Sequence, residues 1–169
     1  MLDVLKENNK DVIAIGKIGD LFSQRGITKE IHTNGNEDGI NKTIEEIKKD
    51  SEGIIFTNLV DFDMLYGHRN NIEGYAKALE YFDSKLPIII ENMKETDLLI
   101  ITADHGNDPS TPSTDHSREY IPILIYGKQI KENVNIGIRE TYADIGETIL
   151  DILNMPLLNI GESFKNEIL

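Results

Sequence analysis

A chain of 169 residues without cysteine, 39% hydrophobic, can bury one core but cannot build a disulfide framework or a thiolate metal site. Its formal charge of −13, from 30 acidic and 17 basic residues, argues against nucleic acid and anionic membranes as partners. Both need Lys and Arg in excess. No apolar run approaches a membrane span, and residues 1–7 lack the basic start and apolar block of a leader, so the expected location is cytoplasmic.

In chain order, residues 11–16 read as a short buried strand running into a glycine turn, followed by a brief helix or loop over 17–22. An irregular polar segment is expected from Gly26 to Asn36, with His32 an ordinary surface histidine. Residues 38–50 predict a helix with Ile40, Ile44 and Ile47 on one apolar face. Residues 53–60 read as a second buried strand ending in acids. Residues 70–93 predict one long helix or two, with Tyr75, Leu79, Phe82 and Leu86 on a stripe and Pro87 as a kink or a new start.

The run Leu98-Leu99-Ile100-Ile101 predicts a third buried strand, because both faces are apolar. A loop rich in Ser, Thr, Pro and Asp follows over 108–117, then a strand over 120–127 in which Pro122 marks an edge or a bulge. Residues 141–153 predict a helix with Ile145, Ile149 and Ile152 facing inward. The stretch 161–164 carries little signal. Strands alternating with helices indicate an α/β sheet with helices on its faces.

The chemistry collects at strand ends. Asp104-His105-Gly106 stands just past the third strand, offering a hard oxygen, a borderline nitrogen and a glycine that permits a tight turn around a cation. The second strand runs out into Asp61, Asp63 and His68, and the loop after the third supplies Asp115, His116 and Arg118. Any one Asp-His neighbour is more often a surface pair than a ligand. Here three of the four histidines lie beyond strands with aspartates close by. Such a set can build a binuclear site whose metals, roughly 3.5–4 Å apart, clamp the oxygens of a phosphoryl displacement.

Residues 60–69 (VDFDMLYGHR), 102–109 (TADHGNDP) and 114–122 (TDHSREYIP) resemble the phosphopentomutase family of the alkaline phosphatase superfamily, as do Ile15–Asp20 and Gly39–Thr43. The resemblance covers nearly the whole chain. It implies an alkaline-phosphatase-like α/β sheet with helices on both faces, with residues 1–169 forming the C-terminal portion of the core domain. The family's cap domain, its threonine nucleophile and one further aspartate ligand would lie upstream, leaving the isolated chain inactive. It also implies two Mn²⁺ ions. Asp63, His68 and His116 would hold one, and Asp104 with His105 half of the other.

The implied reaction interconverts ribose 1-phosphate and ribose 5-phosphate, or the deoxyribose phosphates, through a phosphothreonine enzyme in nucleoside salvage. Lys17 and Arg118 are candidates for holding phosphate, and Arg118 alternatively for orienting Asp115 or Asp104. Thr57, Thr102, Thr111 and Thr114 occupy no position that the family uses for its nucleophile. Alternatives are a fragment of a cofactor-independent phosphoglycerate mutase-like enzyme and a non-catalytic metal-binding half-domain. An incomplete sheet would leave apolar surface exposed and favour self-association.

Overall fold

The computed structural model describes residues 1–169, and its centre is β1 (Asp11–Ile15). β2 (Lys29–Ile31) and β3 (Gly53–Thr57) flank β1 in parallel, with Ile15 opposite Ile31 on one side and Thr57 on the other. A central parallel strand is covered on both faces, and Val12, Ile13, Ala14 and Ile15 are accordingly all buried. β3, expected to be a buried strand, is only partly covered along its length, because it stands at the edge of the sheet with β1 as its one neighbour.

Val12 and Ala14 face α1 (Leu2–Glu7), clustering with Leu2, Leu5, Ile18, Ile27 and Leu150. On the strand's two-residue period, Ile13 and Ile15 turn to the opposite face, where α3 (Asn36–Ile47) lies. Between them, α2 (Ile18–Leu21) is the brief helix predicted after the glycine turn. Ile40 and Ile44 of α3 meet Ile89 of the next long helix in a second, smaller cluster.

Two N-terminal elements depart from expectation. Leu2–Glu7, for which the sequence predicts no element, form α1 and bury Leu2 and Leu5. Lys29–Ile31, expected to be irregular, is a strand. It is a three-residue edge strand with two charged residues, so no apolar period announces it. The buried Glu46 carboxylate accepts from Lys29 Nζ at 2.6 Å and Lys49 Nζ at 2.5 Å, tying α3 to β2. Burial pushes that carboxyl up, and the two lysines more than reverse it, leaving it below the usual range.

α4 (Ile72–Asn92) is one helix of 21 residues, capped by Asn71, whose side chain accepts from Gly74 N at 2.9 Å. Pro87 sits inside it without dividing it. The predicted stripe is corrected in part. Leu79 is 50% exposed, and Tyr81 joins Phe82 against the Ile40–Ile44–Ile89 cluster. No helix is long and apolar enough to cross a membrane.

β4 (Leu99–Ile101) and β5 (Leu124–Tyr126) form a separate antiparallel ribbon with Ile100 opposite Ile125. The prediction that residues 98–101 form a buried strand is half right. The strand is there, but every residue of it is only partly covered, because a two-stranded ribbon shields little. Pro122 lies outside β5.

α5 (Ala143–Ile152) reverses the predicted burial. Ile145, Ile149 and Ile152 are partly covered, while Asp144, Glu147, Thr148 and Leu150 are buried. The cause is the tail folding back. Glu147 accepts from Leu158 N and Ile160 N at 3.1 and 3.0 Å, and Thr148 Oγ1 accepts from Phe164 N at 3.0 Å. Phe164, in the stretch expected to be silent, is fully buried ahead of α6 (Lys165–Ile168).

Candidate metal centre

Past β3 the chain is clasped before it turns. Asp61 Oδ2 accepts from Asn36 N at 2.7 Å, and Asp61 N donates to Asn36 Oδ1 at 2.9 Å, fixing the segment to the start of α3. Residues Phe62–Gly67 then form a π-helical turn closed by His68 N donating to Asp63 O at 3.0 Å. The wide turn matters for chemistry. In an α-helix, residues five apart diverge by about 140° around the axis, whereas here Asp63 and His68 converge. His68 Nε2 lies 3.3 Å from Asp63 Oδ1.

The segment past β4 is joined to the His116 loop by a bridge between Gly106 and Ser117, with Ser117 N donating to Gly106 O at 3.2 Å. Ser117 Oγ also accepts from Asp108 N at 2.8 Å. A side chain at Gly106 would collide with the Ser117 and Glu119 backbone. The bridge lays His105 and His116 face to face, ring centroids 3.6 Å apart and planes 19° from parallel. His116 Nε2 reaches 3.2 Å from Asp63 Oδ1, and donor atoms of Asp63, His68 and His116 all lie within 4.8 Å of one another.

The donor set fits a divalent cation. Nδ1 of His68 lies 2.5 Å from the Thr114 carbonyl oxygen, which can only accept, so this nitrogen carries the proton. In the neutral ring, Nε2 then presents a bare lone pair toward the Asp63 carboxylate. Two acceptors facing each other need a cation or a proton between them. Asn107 Nδ2 supplies one fixed donor to Asp63 Oδ1 at 3.1 Å, and that amide fills the space a side chain at Gly67 would take. Tyr75 packs against Phe62, with ring centroids 5.3 Å apart and planes tilted by 59°; burial raises its phenol, and the Asp63 charge adds to the effect.

His105 sits at the edge of this cluster, its Nε2 4.0 Å from Asp63 Oδ1 and 3.6 Å from Asp104 Oδ1. Asp104 is exposed, its backbone carbonyl accepting from Tyr142 Oη at 2.9 Å. Lys17 stands at the carboxyl end of β1 with Nζ 2.9 Å from Met64 Sδ on the π turn. Asp115 and Arg118 are exposed, and Arg118 forms no ion pair with Asp115 or Asp104. Thr57 Oγ1 lies 2.7 Å from Thr43 Oγ1, and Thr111 Oγ1 donates to Asp108 O at 3.0 Å. His32 stays at the surface at the end of β2. Asn70 and Asn107 went unremarked in the sequence. Their only signal is adjacency to the His68 and His105 motifs.

Residues 8–157 match the Metalloenzyme superfamily, and the chain belongs to it. Within that class its similarity is specific. All 169 residues align at 59% identity with a phosphopentomutase of Alkaliphilus oremlandii, taking in 43% of that protein. The phosphopentomutases of Kosmotoga olearia and Clostridioides difficile are 58% and 55% identical over 168 residues, 99% of this chain and 43% of each relative. The chain thus spans less than half the length of the curated relatives it matches.

Proposed function

We propose that residues 1–169 form the C-terminal portion of the metal-binding core domain of a phosphopentomutase, interconverting ribose 1-phosphate and ribose 5-phosphate in the cytoplasm. The observation that carries this reading is the convergence of Asp63, His68 and His116 on one point in a chain akin to phosphopentomutases throughout. On this reading those three residues hold one Mn²⁺, and Asp104 with His105 contributes to a second. A threonine nucleophile and a further aspartate come from outside these residues. When bound, the metals supply Lewis-acid activation of that threonine and offset charge on the transferring phosphoryl group.

The chain's own residues do the rest. The His68 hydrogen bond to Thr114 O places the proton of the neutral ring on Nδ1 and aims Nε2 inward. Asn107 holds one oxygen of Asp63 in place. Lys17 places an ammonium at the carboxyl end of the parallel sheet, where α/β folds receive ligands, and serves the substrate phosphate. The exposed Arg118 guanidinium is free for the same anion, with Asp115 beside it on the His116 loop. Tyr120 (87% exposed), Ile138 (76%) and Leu124 (58%) supply apolar surface for self-association.

The test has two parts. Mn²⁺ titration of the 169-residue chain, followed by electron paramagnetic resonance, should show binding that Asp63→Asn abolishes. In a protein of the relatives' full length, the same substitution should abolish conversion of ribose 5-phosphate to ribose 1-phosphate. Wild-type chain that leaves Mn²⁺ free in solution would overturn the reading.

A further inference from the structure

The segment that delivers His116, residues 108–117, contains no buried residue, and its only apolar side chains are those of Pro109 and Pro112. One side chain from outside gathers its backbone. Asn70 Nδ2 lies 3.2 Å from the carbonyl oxygen of Pro109, 2.7 Å from that of Thr111 and 2.9 Å from that of Ser113. All three partners can only accept, so the atom facing them is the amide nitrogen, and its two hydrogens are fully used.

Asn70 adopts φ 50°, the left-handed conformation that asparagine tolerates better than most residues. That conformation lets the chain pass from His68 to the cap of α4 at Asn71 in three steps. The next carbonyl along the loop, Thr114 O, is taken by His68 itself. Four carbonyls of the loop are therefore held by two side chains from the segment that also carries a candidate ligand.

We infer that Asn70 is a positioning residue of the metal centre. By drawing three alternate carbonyls onto one nitrogen it sets the curvature of residues 108–117, and that curvature brings His116 Nε2 to Asp63 Oδ1. The inference rests on the reading of Asp63, His68 and His116 as metal ligands. It also says why the loop can be polar and exposed yet present an imidazole accurately: its shape is imposed through its backbone.

Two variants separate this role from general support of the fold. Asn70→Asp keeps the shape and the left-handed tolerance but turns a double donor into an acceptor facing three carbonyls. Asn70→Gly keeps the backbone and removes the side chain. Mn²⁺ affinity of the 169-residue chain, read by electron paramagnetic resonance, should fall about 10–100-fold in both, the usual loss when an outer partner of a ligand is removed. Hydrogen exchange of amides 110–116 should quicken without metal, and the melting temperature should stay at the wild-type value. Unchanged affinity and exchange in both variants would overturn the inference and leave the metal reading standing. An affinity loss that merely follows a fall in melting temperature would also overturn it. If wild-type chain and His116→Ala are equally unable to hold Mn²⁺, the metal reading fails, and this inference with it.

Discussion

β1 and β4 are both written as runs of aliphatic residues and live in different surroundings. Val12-Ile13-Ala14-Ile15 is buried along its whole length, between two parallel neighbours and two helical layers. Leu99-Ile100-Ile101 has one neighbour, and no residue from Ile90 to Ala143 is buried. The candidate metal centre straddles this divide. Asp63 and His68 extend from the parallel sheet built around the buried β1, while His105 and His116 belong to the uncovered half. The first region is held by apolar burial. The second is held by hydrogen bonds: the Gly106–Ser117 backbone bridge, the Asn70 bonds to loop carbonyls and the Asn107 amide on the Asp63 carboxylate. Stability and site geometry are therefore controlled by different residues.

The largest expected effect breaks the first region. Leu150→Ala removes a fully buried side chain from the cluster over β1 and should cost about 2–5 kcal/mol, measured by denaturant unfolding. The partly covered Ile100→Ala should cost less than half as much. Equal losses would erase the contrast between the strands.

The second prediction breaks the other region alone. His116→Ala should abolish Mn²⁺ binding while shifting unfolding free energy by less than about 0.5 kcal/mol, as for surface substitutions. A large stability loss would mean that the site region belongs to the core.

Metal addition should sharpen the comparison further. Hydrogen exchange should slow at residues 104–117 on adding Mn²⁺ and remain the same in β1, because binding stabilises the segment that it orders. Slowing that is uniform across both would show that the two regions open as one unit.

The smallest effect concerns the tail. Asp151 accepts from Ser163 Oγ at 2.7 Å and from Lys165 Nζ at 3.1 Å, and these contacts hold its carboxyl below the usual range. A carboxyl lowered in the folded state stabilises above its unfolded value of about 4 and loses that contribution as pH falls through the folded value. Asp151→Asn should therefore melt slightly below wild type at neutral pH, and the gap should close below about pH 4. A gap that is constant with pH would remove charge from the explanation.

Parts of the fold were legible because periodicity reports them. β1, α3, β3 and the single long α4 follow from apolar spacing. So does the placement of Asp63, His68, His105 and His116 beyond strands. β2 was not legible, since a short edge strand needs no apolar pattern. The inward face of α5 was misread because its polar Asp144, Glu147 and Thr148 are buried by a returning tail, a contact from 11 to 18 residues away in sequence. Asn70 was silent because its partners are backbone carbonyls, which no residue type announces.

The sequence by itself determined the class: the α/β order, the N- and O-donor chemistry of a chain without cysteine, and the histidine motifs shared with phosphopentomutases. Only the tertiary structure decided which donors meet. A π-helical turn folds Asp63 and His68 together, and a bridge between two loops sets His116 on His105. Only the tertiary structure made β1 a core strand and β4 a half-covered one. The physical reason is the same in each case. Residue type sets what a side chain can do, but burial and convergence depend on neighbours brought from far along the chain.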